Sequence, residues 1–290
     1  MSSNTPQNPP HELDAVERDL IGRALREDLG SGDVTTESTI PETAVGLGRI
    51  RAKESLILAG LPYAREVFAQ VDPKLEFETL VSDGDALSPG DVAATVRGSL
   101  RSLLIGERLA LNLMQHLSGV ATTTRRFVDE VAGTGARVTD TRKTMPLWRR
   151  AQKYAVRCGG GVNHRMALYD AVLIKDNHVD AVGSLPEAVR RARGHVGPDL
   201  PIIVEIRDIA EIDGAVEAGA TRLLLDNMTP DRLREAVAHV AGRAVTEASG
   251  GVELATVRAI AETGVDLISI GALTHSVIAA DLNMKIERLS

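Results

Sequence analysis

The alternation of apolar and polar residues predicts a helix and then a small mixed domain in the first part of the chain. Leu13, Val16 and Leu20 fall on one face of the segment "ELDAVERDLIGRALREDLG", and Gly30 stands where that helix should end. From about 45 to 100, short apolar runs broken by "SDGD", "SPGD" and "RGS" indicate strands and tight turns, with one helix around "PYAREVFAQV". This region should be an α+β domain.

The rest of the chain has the pattern of helices alternating with buried strands. An Ala- and Leu-rich helical pattern runs from Ser102 to about Ala132, with a break expected near Gly119. Six short apolar runs then predict buried strands: "ARVTD", "AVLIKD", "PIIVEI", "RLLLDN", "AVTEAS" and "DLISIGA". Because the later runs alternate with helical segments that close on glycine, they indicate a parallel sheet covered by helices, either an open doubly wound sheet or a closed barrel.

Residues capable of chemistry stand where these strands end. They are Asp140, Arg142, Lys175, Asp176, Glu205, Asp226, Glu247, Ser249 and Gly271. A TIM-type barrel places its active site at the carboxyl ends of its strands, whereas an open sheet concentrates the site at one switch point. Since the polar residues are spread over six strands, the pattern favours the barrel.

Composition narrows the class of protein. The chain has 290 residues, is 43% hydrophobic and 2% aromatic, and has a formal charge of −7. A surface that binds nucleic acid needs clustered basic residues and aromatic rings for stacking, so this composition argues against one. Its one cysteine cannot form an internal disulfide, and neither "MSSNTPQNPPHELD" nor any later segment has the apolar length of a signal sequence or a membrane span. We therefore expect a cytoplasmic globular protein that binds neither nucleic acid nor membrane.

A local surplus of positive charge lies in the segment from residue 142 to residue 175. Four cations have the spacing of residues on the solvent-exposed face of a helix: Arg149, Arg150, Lys153 and Arg157. Four others stand at strand ends or beside glycines, where neighbouring apolar residues would partly bury them: Arg142, Lys143, Arg165 and Lys175. Because a buried cation needs an anionic partner, the second group predicts a site for a small, highly charged ligand.

Two glycine-rich loops follow the last two predicted strands, "ASGG" and "IGALTH". Loops at these places in a barrel can hold a phosphate with their backbone N–H groups, and the candidates are Ser249, Gly250, Gly251, Gly271 and Ala272. Glu205 and Asp226 end neighbouring strands, where they could be structural partners of the lysines or could hold sugar hydroxyls or a hydrated Mg²⁺.

The histidines and the cysteine of this region carry weaker signals. His164 and His178 lack the spacing of a zinc site, so hydrogen bonding to an anion or simple scaffolding is expected of them. Cys158 should be an ordinary buried residue, because no neighbouring residue could act as the general base that a nucleophile requires.

Together these segments match a known pattern. In their order, "TRKT", "KYAV", "GGG", "NHR", "LIKDNH", "LLLDNM", "EASGG" and "GALTHS" closely resemble the quinolinate phosphoribosyltransferase family. The resemblance continues upstream through "ERLALNLMQHLSGVATTT" and "REDLGSGDVTT", so it covers nearly the whole chain. It departs at "TMPLWR", where the family more often has Pro-Gly-Leu-Arg, so that Met145, Leu147 and Trp148 replace smaller or differently shaped residues.

The resemblance implies an α/β fold in two domains. An N-terminal α+β open-sandwich domain should occupy residues 13–115 and be rejoined by the C-terminal segment 277–290. An incomplete TIM-type α/β barrel should occupy residues 116–276, while residues 1–12 should form a flexible tail. The family barrel is usually described with seven strands, one more than the pattern predicts here.

The resemblance also implies roles for individual residues. The group that binds the two quinolinate carboxylates would comprise Arg108, Arg142, Lys143, His164, Arg165 and Lys175. The 5′-phosphate would lie against Ser249, Gly250, Gly251, Gly271, Ala272 and His275. The catalytic set would be Lys143, Lys175, Glu205 and Asp226, and its two carboxylates would hold the Mg²⁺ cofactor, in part through water.

The reaction implied by the resemblance is a pentosyl transfer. Phosphoribosyl pyrophosphate and quinolinate give nicotinate mononucleotide, pyrophosphate and CO₂, a step of NAD biosynthesis. Family members are dimers or hexamers of dimers, in which Arg108 of one subunit would complete the site of its neighbour. The residues leave three alternatives open: a related phosphoribosyltransferase acting on nicotinate, a Schiff-base aldolase that uses Lys175, and a sugar-phosphate sensor without catalysis.

Overall fold

The computed structural model describes residues 11–290, so most of the predicted tail, residues 1–12, lies outside the described residues. The chain forms two compact units. Unit 1 contains the chain up to Arg125 together with the segments Met145–Gly160 and Ser276–Ser290. Unit 2 contains the segments Arg126–Thr144 and Gly161–His275.

The helices and strands follow one another in two series. The first series is α1 (Ala15–Leu29), α2 (Val34–Thr39), β1 (Val45–Ala52), β2 (Leu56–Ile57), α3 (Leu61–Val71), β3 (Glu76–Thr79), β4 (Ala86–Leu87), β5 (Val92–Ser99) and α4 (Leu100–Glu130). The second series is β6 (Arg137–Thr139), α5 (Arg149–Cys158), β7 (Val172–Ile174), α6 (Asp176–Val182), α7 (Leu185–Val196), β8 (Ile202–Ile206), a 3-10 turn (Ile209–Glu211), α8 (Ile212–Glu217), β9 (Arg222–Asp226), α9 (Pro230–Val240), β10 (Val245–Ser249), α10 (Val257–Ala261), β11 (Leu267–Ser269), α11 (Ala272–His275) and β12 (Leu282–Leu289).

Unit 1 is built around an antiparallel sheet with the strand order β12-β1-β5-β3. Alternate side chains of β1 are buried, as expected of a strand with one face on a core. The late strand β12 pairs with β1 along its whole length, from Leu282 opposite Ala52 to Leu289 opposite Val45. The first and last parts of the described chain therefore share one sheet.

Helix α1 ends where the sequence predicts, before Gly30, but Val16 of its predicted apolar face is exposed. The side chain of Asp14 accepts the backbone N–H of Glu17, and the Glu17 side chain accepts the backbone N–H of Asp14, which makes a capping box. Gly30 follows the helix with a φ of 53°, a conformation that favours glycine.

Helix α4 is continuous for 31 residues, so the predicted break near Gly119 is wrong. A Cβ at this position would collide with the backbone oxygen of Ile278. The glycine therefore lets the segment before β12 approach the helix closely, and it does not end the helix.

The four cations expected to form the wet face of a helix do lie on α5, but the prediction of exposure is wrong for one of them. Lys153 is completely buried, while Arg149 and Arg157 are half-buried and Arg150 is exposed. The neighbouring Gln152 is also buried, and its amide contacts His116 at 2.9 Å and the backbone N–H of Met145 at 2.8 Å. The charge pattern predicts one solvent-exposed face for this helix. It does not reveal that residues on both faces of the helix are buried.

Unit 2 contains all six predicted strands in one parallel sheet of order β6-β11-β10-β9-β8-β7. Its edge strands, β6 and β7, follow one another along the chain but are not paired, as an incomplete barrel requires. The free side of β6 carries one isolated parallel bridge, between Thr139 and Val162. Val162 thus stands where a seventh strand would lie. Among residues 11–290, no helix is long and apolar enough to cross a membrane.

Candidate active site

The register of the unit 2 sheet brings the predicted polar residues to one end of the strands. On β8, Glu205 lies opposite Leu224 of β9, and Asp226, two residues further along β9, lies opposite Ser249 of β10. Side chains two residues apart in a strand point to the same face. Leu224 belongs to a buried cluster with Ile203, so Glu205, Asp226 and Ser249 lie on the face that carries this core.

Lys175 follows β7 at the same end of the sheet. Its ammonium nitrogen lies 3.4 Å from Oε2 of Glu205, and its side chain remains 52% exposed. His178 fixes this turn, because its Nδ1 accepts the backbone N–H of Lys175 at 3.0 Å. Of the two roles expected for His178, the described contact is the scaffolding one.

The loop after β11 lies against the loop after β6. A Cβ added at Gly271 would come within 3.1 Å of both Lys143 Cδ and His275 Nε2. The hydroxyl of Thr274, on α11, donates to the backbone oxygen of Lys143 at 2.8 Å. The structure therefore brings together Lys143, Gly271 and His275, with Ala272 at the start of α11.

The loop after β10 has the backbone conformation that only glycine adopts readily. Gly250 and Gly251 have φ values of 95° and 58°. A Cβ at Gly250 would collide with the side chain of Asn227, while the space beside Gly251 is open. Asn227 itself donates its backbone N–H to the oxygen of Ser249 at 2.8 Å, which joins the loops after β9 and β10.

Arg142 and Arg165 form the most distinctive part of the site. Burial, and after it the positive charge of Arg142, lower the pKa of the Arg165 guanidinium below its ordinary value. In each residue the Nε atom is buried and has no hydrogen-bond partner within the part of the chain that is described. Two like charges with unsatisfied buried donors are costly unless an anion lies between them.

His164 is held on three sides beside Arg165. Its backbone N–H donates to Oδ1 of Asp140 at 2.8 Å. Its Nδ1 accepts the backbone N–H of Arg165 at 2.7 Å, and its Nε2 lies 3.4 Å from Oε1 of Glu247. Both Asp140 and Glu247 are completely buried.

Glu247 was noted in the sequence at a strand end but was not included in the candidate set. It also contacts the hydroxyl of Ser269, and its Oε2 lies 3.1 Å from Nη1 of Arg222. Burial alone would raise the pKa of Glu247, but hydrogen bonds from His164 and Ser269 and the charge of Arg222 together hold it below its ordinary value. The signal that could have identified it is a glutamate inside an otherwise apolar strand, since such a buried charge requires partners.

Arg108 belongs to unit 1, where it lies on helix α4 and is exposed. It lines a cavity of about 370 Å³ together with Asp28, Asp33 and several leucines. Cys158 also belongs to unit 1; it is buried, and burial and the charge of Asp83 raise the pKa of its thiol to about 12. This agrees with the expectation of an unreactive cysteine.

Comparison with known proteins agrees with this arrangement. The family model of the quinolinate phosphoribosyl transferase N-terminal domain matches residues 33–118, and that of the C-terminal domain matches residues 120–285. The chain is 44% identical to the nicotinate-nucleotide pyrophosphorylase [carboxylating] of Mycobacterium leprae, over 94% of this chain and 98% of that protein. It is 42% identical to quinolinate phosphoribosyltransferase [decarboxylating] 1b of Nicotiana tabacum, over 97% of this chain and 84% of that protein.

Solved structures show the same likeness. The crystal structure of NadC from Streptococcus pyogenes has a TM-score of 0.93 and 38% sequence identity with this chain. The superposition covers 97% of this chain and 100% of the NadC chain. The α/β fold predicted from the sequence is thereby confirmed. Since two family models together match most of the chain and close relatives span nearly all of it, the chain belongs to the quinolinate phosphoribosyltransferase family.

Proposed function

We propose that the chain transfers the phosphoribosyl group of phosphoribosyl pyrophosphate to quinolinate with loss of one carboxylate, giving nicotinate mononucleotide, pyrophosphate and CO₂ in NAD biosynthesis. The observation that carries this proposal is the pair Arg142 and Arg165, each with a buried, unsatisfied Nε. Arginine presents a planar pair of donors that suits carboxylates, and quinolinate has two adjacent carboxylates.

In this proposal the cations at the sheet end divide between the two substrates. Arg142 and Arg165 bind the quinolinate carboxylates, while Lys143 and Lys175 supply point charges toward carboxylate and pyrophosphate. The open, positive-φ loop of Gly250 and its neighbour Gly251 supports the 5′-phosphate with backbone N–H groups. Ser249, Gly271, Ala272 and His275 complete that phosphate site.

Glu205 and Asp226 are proposed to meet the ribose hydroxyls and a magnesium ion. Within the described residues no group of three or more potential metal ligands occurs, so the protein alone offers no enclosed metal cage. Two carboxylates at one sheet end nevertheless fit Mg²⁺, which keeps several waters and takes other ligands from substrate phosphates. When bound, Mg²⁺ would neutralise charge that develops on the departing pyrophosphate.

The chain's own residues supply orientation and charge. The basic side chains offset the repulsion between two carboxylates and a pyrophosphate that must approach one another. The anomeric carbon becomes cation-like as pyrophosphate leaves, and a carboxylate such as Glu205 or Asp226 stabilises it. Once the pyridine nitrogen is quaternised, its positive charge stabilises the carbanion left on the neighbouring ring carbon when the C–C bond to CO₂ breaks. A proton from solvent then adds to that carbon, so this step needs no further cofactor. Positioning of the two substrates contributes up to roughly 7–11 kcal/mol in favourable cases.

The assay that tests this function measures pyrophosphate release from phosphoribosyl pyrophosphate, with quinolinate, with nicotinate, and with neither. We expect release that depends on quinolinate and is accompanied by an equal amount of CO₂. Release with nicotinate alone would point to the related transferase, and binding without release would point to a sensor. Borohydride trapping of Lys175 with a ketone would contradict the proposal in favour of an aldolase.

The proposal includes a shared site in a homodimer or a hexamer of dimers, to which Arg108 of one subunit contributes. We expect inactive Arg108→Ala and Lys143→Ala homodimers to regain activity when their subunits exchange, because one site of each hybrid dimer then carries neither change. Statistical mixing makes about half the dimers hybrid, so recovery should approach roughly a quarter of the unmodified activity. If mass spectrometry shows exchange and activity does not return, Arg108 acts within its own chain. A cytoplasmic location stays a prediction, which cell fractionation would test.

A further inference from the structure

A buried polar chain inside the sheet of unit 2 connects both ends of its strands. Arg222, at the start of β9, contacts Glu247 on β10 at 3.1 Å, and Glu247 contacts His164 at 3.4 Å. His164 in turn accepts the backbone N–H of Arg165 at 2.7 Å. The interior of the sheet thus carries contacts from a buried carboxylate to an arginine of the proposed quinolinate site.

The contacts of the His164 ring define its protonation state. Because Nδ1 accepts a backbone N–H, this nitrogen carries no proton, and the ring proton must lie on Nε2. Nε2 faces the carboxylate of Glu247, which accepts it. Both ring nitrogens therefore have partners within the protein.

We propose that Glu247 is a positioning residue: it fixes the His164 ring, and the ring fixes the backbone of Arg165, so that the Arg165 guanidinium is held for a quinolinate carboxylate. This inference rests on the proposed function, and it gives His164 a positioning role besides the carboxylate contact that the resemblance implies. The guanidinium is further held by its bond from Nη1 to the oxygen of Ala171 at 2.9 Å, while its Nε stays unpaired.

Glutamine at position 247 is the sharpest perturbation, because it preserves shape and removes one acceptor. The carboxylate accepts on both oxygens, from Ser269 and His164 on one and from Arg222 on the other. An amide has only one oxygen, so its NH₂ group must face either Arg222 or the His164 and Ser269 donors. In either orientation the NH₂ group faces another donor. If it faces His164, the ring loses the acceptor that fixes it. If it faces Arg222, the guanidinium loses the negative charge that balances it.

The chain offers a matched control in unit 1. Glu17 is also a buried carboxylate that contacts a histidine and a hydroxyl, those of His11 and Tyr63. Glu17→Gln therefore makes the same chemical change in a similar setting outside the proposed site. It should lower stability and leave the KM for quinolinate unchanged.

The kinetic test is a double-mutant cycle of Glu247→Gln and His164→Ala, with pyrophosphate release as the assay. We expect Glu247→Gln to raise the KM for quinolinate about tenfold, with little change in the KM for phosphoribosyl pyrophosphate. In the His164→Ala background it should add less than about a twofold effect, because its path to Arg165 is already gone. A full effect in that background, an equal effect on both substrates, or no effect at all would overturn the proposal.

A spectroscopic test measures the unmodified protein and does not depend on catalysis; a variant serves only to assign the resonances. In protein labelled with ¹⁵N-histidine, the His164 resonances, assigned by their loss in His164→Gln, should show the neutral tautomer with its proton on Nε2. The same tautomer should persist when quinolinate saturates the site. A proton on Nδ1, or a doubly protonated ring, would refute the positioning role even in a fully active protein. Conversely, a protein without quinolinate-dependent activity but with this tautomer would contradict the proposed function alone.

Discussion

Removing the side chain of Arg142 or Arg165 should strongly lower the affinity for quinolinate and should change the stability of the unliganded protein much less. Each guanidinium has a buried Nε without a partner in the described residues, and the two cations repel each other. A ligand carboxylate removes both unfavourable effects at once. Loss of one partner of such a buried charge pair costs about 2–5 kcal/mol, which corresponds to a roughly 30- to 4,000-fold loss of affinity.

Arg142→Ala is the more informative of the two variants. Arg165→Ala also removes the hydrogen bond to Ala171, and a bond of that kind contributes about 1 kcal/mol to stability. Arg142→Ala should therefore leave the unliganded melting temperature unchanged or slightly raised, while Arg165→Ala should lower it a little. Arg191→Ala is the control, because this 65% exposed side chain pairs only at the surface, with Glu187 at 2.8 Å, and should change neither property by more than about 0.5 kcal/mol.

Calorimetric titration with quinolinate and, separately, with phosphoribosyl pyrophosphate measures both affinities, and thermal unfolding without ligand measures stability. In the unmodified protein, quinolinate at about 100 times its Kd should add roughly 2.7 kcal/mol to the free energy of unfolding, and at the same concentration this gain should fall below about 1 kcal/mol in both variants. Unchanged quinolinate affinity in both variants would refute the assignment. An equal loss of affinity for both substrates would show that the two arginines hold the fold of the site and do not select a ligand.

Three further predictions concern single positions. Burial acts to raise the pKa of Glu17, but hydrogen bonds from His11 and Tyr63 lower it from 4.5 to about 2. About 3 kcal/mol of stability that is present above pH 4.5 should therefore be lost as the pH falls toward 2; denaturant titrations should show this loss, and Glu17→Gln should remove most of it. Gly250→Val should lower the affinity for phosphoribosyl pyrophosphate at least about tenfold, because its φ is 95° and its Cβ would displace Asn227; normal affinity by calorimetry would place the phosphate elsewhere. Leu147→Gly should raise stability by up to about 1 kcal/mol, since Leu147 has a φ of 69° and is 73% exposed; a lower melting temperature would contradict that account.

The sequence predicted what depends on local pattern. The six strands of unit 2 follow from apolar spacing, and the end of α1 follows from Gly30. The positions of Glu205 and Asp226 follow from their places at strand ends. Prediction from the sequence was wrong where contacts between segments far apart in the chain determine the structure. Gly119 allows Ile278 to approach an unbroken helix, and Lys153 is buried although its helical neighbours are charged. The contacts of Glu247 with His164 and Arg222 join residues from different parts of the chain, so spacing along the sequence cannot reveal them.

The pairing of β12 with β1 also sets an order for events during synthesis. β1 ends at Ala52, yet its partner begins at Leu282, so the sheet of unit 1 stays incomplete until almost all of the described chain has left the ribosome. Every strand of unit 2 is translated before that moment, and the parallel sheet can form first. Meanwhile β1 presents an unpaired edge, which is a template for association between nascent chains. The edge of β1 is therefore protected from such association only after β12 has been synthesised and has paired with it.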